Sequence, residues 1–256
     1  MNKSRVVLPA LAALLVLPAT ASSQQQEDRP IVMPPHSVVD GKSIGEWSAL
    51  WWKWALAIPV NDNPSLDKTG AKAKFGDVGS AFFLANWLGP PPGPVSRSVM
   101  IPENKFIFVP IEVAADDNSG NGCIAPSTTP CAGRLTVDQL VTQLDAFFNV
   151  TALHASIDSE PVNDLFEHRE RAPIFGYTEQ LTDNVIEVVF GYAGPDSAGT
   201  VFPVVADGYY LMLRPLPVGQ HTISFGGTLS GVGDLDITYH VTVTPEASNR
   251  PALLIP

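Results

Sequence analysis

The chain has 256 residues, 45% of them apolar and 16% charged, with a formal net charge of −11 and two cysteines. That apolar fraction excludes general disorder and suffices for one large or two small domains with a real core. A surface this acidic is repelled by phosphate backbones and anionic headgroups, which argues against nucleic acid as a partner; plain solubility is its simplest meaning.

The first 21 residues read as a secretory signal peptide. Lys3 and Arg5 are basic, residues 6–18 are apolar, and Ala19-Thr20-Ala21 supplies small residues for cleavage. The apolar run is too short for a comfortable membrane span, and no Cys follows the cut to carry a lipid. A mature chain beginning near Ser22, periplasmic or secreted and without a transmembrane segment, is therefore expected. Loss of Lys3 and Arg5 takes the charge from −11 to −13. Residues 22–40 are polar and then Pro-rich, as in a flexible lead-in. Residues 41–245 read as one domain and 246–256 as a tail.

Ser43-Ile44-Gly45-Glu46 is a capping box, and the apolar spacing that follows predicts a helix over 43–58, ending at Pro59. Four of the five tryptophans lie between Trp47 and Trp54, so the segment decides much of the packing. Trp47, Trp51 and Trp54 share a face suited to covering a sheet. Trp52 points elsewhere and is the candidate exposed ligand contact. A second capping box, Thr136 with Gln139, predicts a helix over 136–148.

Elsewhere the chain reads as strands. Residues 81–84 form a short apolar run, and 105–111 are apolar on both faces, as in a strand covered on both sides. Further strands are expected near 150–157, 172–178, 185–192, 208–214, 220–227 and 235–243. The expected fold is mainly β (α+β): an antiparallel β-sandwich or jelly-roll-like pair of sheets with two packed helices.

Gly41-Lys-Ser-Ile-Gly-Glu-Trp-Ser-Ala-Leu-Trp-Trp-Lys-Trp-Ala55 and Ala206-Asp-Gly-Tyr-Tyr-Leu-Met-Leu-Arg-Pro-Leu-Pro-Val-Gly-Gln-His-Thr-Ile-Ser-Phe225 resemble a group of uncharacterised secreted bacterial proteins. The resemblance implies one secreted domain and no particular activity. It also implies a further Cys pair in such relatives where this chain has Ala73 and Ser98.

Several residues are candidates for chemistry. Asp117, Ser119 and Asn121 alternate before Gly122, as in the first half of a calcium loop, with Glu112 as an additional ligand; position twelve is Thr128, where such loops need Glu. An ordinary exposed loop has the same composition. No cofactor is expected, and calcium is the one the sequence allows. Cys123 and Cys131 flank a short turn-rich segment and are expected to pair in an oxidising compartment. Glu167, His168 and Glu170 form a charged cluster in which a histidine of raised pKa would act as general base; a solvated turn is the plainer reading. His154, Ser156 and Asp158 alternate along one strand. Strand parity sends His221 to the core side beside its turn and His240 to solvent.

No nucleophile elbow, zinc-binding His pair or phosphate-binding glycine loop is present in the sequence. The expected role is a non-catalytic binding or structural protein whose partner is a small molecule, a glycan or an envelope protein. The alternatives are a hydrolase of polysaccharide or ester using Asp116, Asp117, Glu167 or Glu170, and a calcium-stabilised module.

Overall fold

The computed structural model describes residues 30–119, 134–178, 182–191 and 199–245. The expected signal peptide, residues 22–29 of the expected lead-in and the expected tail lie outside these residues. Both capping boxes form. Helix α1 (Ile44–Ala57) begins at Ser43, whose Oγ accepts from the Glu46 N–H while the Glu46 carboxylate accepts from the Ser43 N–H. Helix α2 (Val137–Phe147) begins at Thr136 in the same way, with Gln139 reaching back.

The strands in chain order are β1 (Val38–Val39), β2 (Lys42–Ser43), β3 (Asp77–Val78), β4 (Ala81–Phe83), β5 (Val95–Pro102), β6 (Phe106–Asp117), β7 (Val150–Ile157) and β8 (Glu160–Pro161). They continue with β9 (Arg169–Arg171), β10 (Phe175–Thr178), β11 (Thr200–Leu213), β12 (Gly219–Leu229) and β13 (Gly233–Thr244). β1 and β2 form a two-stranded sheet of their own; of the two larger sheets, the first runs β10-β11-β6-β4-β3, with β9 also paired to β11, and the second runs β5-β13-β12-β7-β8. The fold is mainly β with helices packed on it. Its pairings are antiparallel except β4 on β6 and β5 on β13. β4 and β6 are parallel because the chain leaves the first sheet after β4, adds β5 to the second, and returns as β6.

The sheets meet across Ile107, Val109, Leu211, Leu213, Phe225, Ile237 and Tyr239, and α2 adds Leu140 and Leu144 to that layer. The first sheet is covered on its other face too, where Phe83, Phe108, Tyr210 and Met212 pack against α1. β6 and β11 are thus buried on both faces, as the apolar run at 105–111 predicts. The second sheet turns a polar face outward, with Ser96, Ser98 and His240 exposed.

Four differences from expectation have local causes. Residues 185–190 form helix α3 (Val185–Phe190), not a strand: Asn184 accepts from the Glu187 N–H, and Gly191 ends the helix at φ 70°. Its β-branched run resembles a strand, but both end signals are helical. Strand β5 was not expected, because Arg97 sits among the apolar residues that alternate inward. Strand β11 starts at Thr200, eight residues before the apolar alternation suggests. Residues 31–33, assigned to a flexible lead-in, bond along the end of β11: Val32 bridges Leu213 and the Met33 N–H donates to the Met212 carbonyl.

Candidate functional site

Trp52 is not a surface contact. It is 5% exposed and edge-on to Trp51 at 5.1 Å. The correction follows from how α1 is enclosed. The sheet takes Trp47 and Trp51, and Val185 and Ile186 of α3 join the same apolar cluster, so more than one face of the helix is buried. Of the four clustered indoles, Trp54 alone is half-exposed, and its Nε1 donates to the Phe75 carbonyl at 2.6 Å.

The charged cluster at 167–171 is sorted by the parity of β9. Its register sets Arg171 opposite Asp207, Glu170 opposite Gly208 and Arg169 opposite Tyr209. Glu170 therefore leaves on the face away from the arginines, where it meets His36 Nδ1 at 2.7 Å. Glu167 is exposed and His168 buried. Burial holds the His168 pKa below its ordinary value, outweighing the Glu167 and Glu170 charges. A raised-pKa base is thus overturned, because desolvation dominates over the neighbouring carboxylates.

On the opposite face, Arg169 and Arg171 converge on Asp207, which is 2% exposed. Arg169 donates from Nε and Nη2 to its two oxygens, each at 3.1 Å. Arg171 donates to Oδ2 from Nε at 3.2 Å and Nη2 at 2.9 Å. The Gly208 N–H donates to Oδ1 at 2.8 Å. Arg171 also engages Asp145 near the end of α2. The Arg169 guanidinium lies over the Phe148 and Tyr209 rings, 5.6 and 5.9 Å from their centroids. The hydrogen bond to Asp207 raises the Arg169 pKa; for Arg171, burial opposes the rise, but Asp207 and Asp145 outweigh it. Asp145, Ala146, Phe148, Asn149, Arg169, Arg171 and Asp207 line an open cleft of about 780 Å³.

The remaining candidates do not join this cleft. The Asp117 carboxylate accepts from the Ser119 N–H at 2.7 Å and from the Tyr177 hydroxyl at 3.1 Å, which makes it a turn-forming and strand-bridging group. Asp116 has its pKa raised by burial, and Asn121, Cys123 and Cys131 lie outside the described residues. Among the described residues, no three His, Cys, Asp or Glu side chains converge as metal ligands.

Glu112 faces the second sheet instead of the 117–119 loop. A Cβ at Gly227 would lie 2.8 Å from its Cγ, and its Oε1 is buried without a partner. Burial, and secondarily the Asp234 charge, push its pKa up to about 7. Its position comes from a β-bulge: Tyr210 pairs with Pro110 but Tyr209 with Glu112, leaving Ile111 unpaired and reversing side-chain parity.

His154 stands over Gly226 and approaches Asp236 at 3.5 Å, whereas Asp158 turns to His221 Nδ1 at 2.7 Å and the Thr222 N–H at 2.8 Å. The three alternating residues thus serve two separate places. His221 is tied to its turn through the Pro217 carbonyl, and His240 is exposed, as parity predicts.

Sequence reasoning missed Asp207, Asp145 and the role of the two arginines. The available signal was the Arg-x-Arg alternation at 169–171, which sends both guanidinium groups to one side of a strand. The chain matches no known family model, and no curated protein matches it.

Proposed function

We propose that this is an exported, non-catalytic binding protein that holds a small molecule or glycan in the cleft between the end of α2 and the β9–β11 ladder. The observation that carries this reading is the pair of guanidinium groups fixed by one buried carboxylate, at the mouth of the described cleft. Such groups orient a polar ligand at little cost in ordering, since Asp207 already holds them. They are poor acid–base catalysts, because their pKa values are raised further from neutrality. The hydrolase alternative needs Asp116, Asp117, Glu167 or Glu170 in one cleft, and none of them lines this one. Export rests on the basic start and apolar run of the first 21 residues, and on the resemblance to secreted proteins.

Thermal-shift screening of a panel of glycans and small polar metabolites, on wild type and Arg169→Ala, tests the reading. Ligands should raise the Tm of wild type and lose that effect in the variant. A panel without a hit, or hits indifferent to Arg169, would reject it. Amino-terminal sequencing of the protein from a periplasmic extract should begin near Ser22.

A further inference from the structure

We infer that the ligand of this cleft carries a single carboxylate, which takes the place now held by Asp145 on Arg171. The inference rests on the binding reading above and names its ligand class. Two guanidinium groups share one buried carboxylate, so Arg169, Arg171 and Asp207 together leave one positive charge uncompensated inside a chain whose formal charge is −11. Asp145 supplies the missing negative charge from the rim. Its side chain is 48% exposed, and that of Arg171 is 40% exposed, so the contact is open to competition from solvent.

Asp145 thus shows what the site accepts: a singly charged carboxylate oxygen on Arg171 Nη2, whose Nε and Nη2 also hold Asp207. A dianionic phosphate overshoots the one available charge and meets Asp207 and Asp145 with repulsion. A neutral ligand leaves Arg171 with Asp145 and gains no charge-assisted bond from it. The neighbouring Asn149 is exposed and offers an amide to hydroxyl groups. The cleft is open, and its volume of about 780 Å³ lies within the range of small-molecule sites. A uronate has this combination of one carboxylate and several hydroxyls.

The test titrates the mature protein by calorimetry with D-glucuronate, D-glucose and inorganic phosphate, using wild type, Asp145→Asn and Arg171→Lys. Glucuronate should bind wild type and bind Asp145→Asn about two- to fivefold more tightly, because the internal competitor has lost its charge. Arg171→Lys keeps the charge but loses the planar donor set, and should weaken glucuronate by about tenfold at a temperature where the variant is still fully folded, with a modest fall in melting temperature from the lost bonds to Asp207. Equal or weaker glucuronate binding by Asp145→Asn overturns the inference, as does silence of glucuronate towards both proteins. Preferential binding of glucose or phosphate overturns the carboxylate assignment while the binding reading stands. That reading fails separately, on the ligand panel and Arg169→Ala.

Discussion

Two arginine sites in this molecule use the same side chain for opposite ends. Arg97 lies between the sheets at 1% exposure, and its donors are consumed internally: Nε by the Asp67 carbonyl at 2.6 Å, Nη1 by the Ala85 carbonyl and the Tyr239 hydroxyl. It also stacks on the Tyr239 ring at 5.4 Å. Among the described residues no carboxylate contacts it directly; carbonyl dipoles carry the solvation of the buried charge, and the residue pins the 84–86 and 67 loops to the sandwich. Arg169 and Arg171 are about two-fifths exposed and lean on a carboxylate, with solvent-facing edges left over. Complete internal satisfaction makes an arginine a brace, and partial satisfaction at a cleft makes it a ligand group.

Removing the brace should have the largest effect. Arg97→Ala takes the charged donor from the Asp67 carbonyl, reduces the Ala85 carbonyl and the Tyr239 hydroxyl to their bonds with each other and the Ala85 N–H, and opens a cavity, so urea denaturation should show a loss of about 3–5 kcal/mol. A loss under about 1 kcal/mol would mean that the loops hold themselves.

The next effect belongs to the buried carboxylate without a brace, Glu112. Its carboxyl ionises near 4.5 in an unfolded chain and near 7 in the folded one. Between those values only the folded form keeps the proton, so stability falls as pH rises. The contribution is fully present below about 4.5 and is lost through 7, amounting to roughly 3 kcal/mol. Glu112→Gln should flatten this part of the stability–pH curve relative to wild type. An identical slope in both proteins would remove Glu112 from the account.

Asp207→Asn strips the charge that holds both arginines. Because those arginines keep access to water, the cost should be smaller, about 2 kcal/mol by urea denaturation, with loss of ligand response. The smallest effect sharpens the comparison from outside it: Ser43→Ala removes one cap of α1 and should cost about 1 kcal/mol, with the cleft unaffected.

The elements most legible in the sequence are those whose signals lie within four residues. Ser43 with Glu46 and Thr136 with Gln139 announced two helices to the residue, and the alternation in 220–227 and 235–243 announced two strands, which pair as β12 and β13; the 216–219 turn reads as a hairpin between 208–214 and 220–227 but instead carries the chain from one sheet to the other. The cleft was illegible for a different reason. Asp207 reads as a turn residue before Gly208, and only its place in β11 opposite Arg171 shows that it is a buried anchor. Glu112 reads as a strand-end acid, and only the bulge at Ile111 carries it inward.

Composition, capping and hydrophobic period by themselves determined that this is a β-rich chain with two capped helices, an apolar central strand and a tryptophan-bearing helix laid on a sheet. Each of these depends on contacts between near neighbours, whose geometry the backbone sets locally. Tertiary structure alone decided that Trp52 is enclosed, that Glu170 parts from Arg169 and Arg171, and that three distant segments close around Asp207. Those outcomes depend on strand register and layer order, where a shift of one residue turns every side chain to the opposite face.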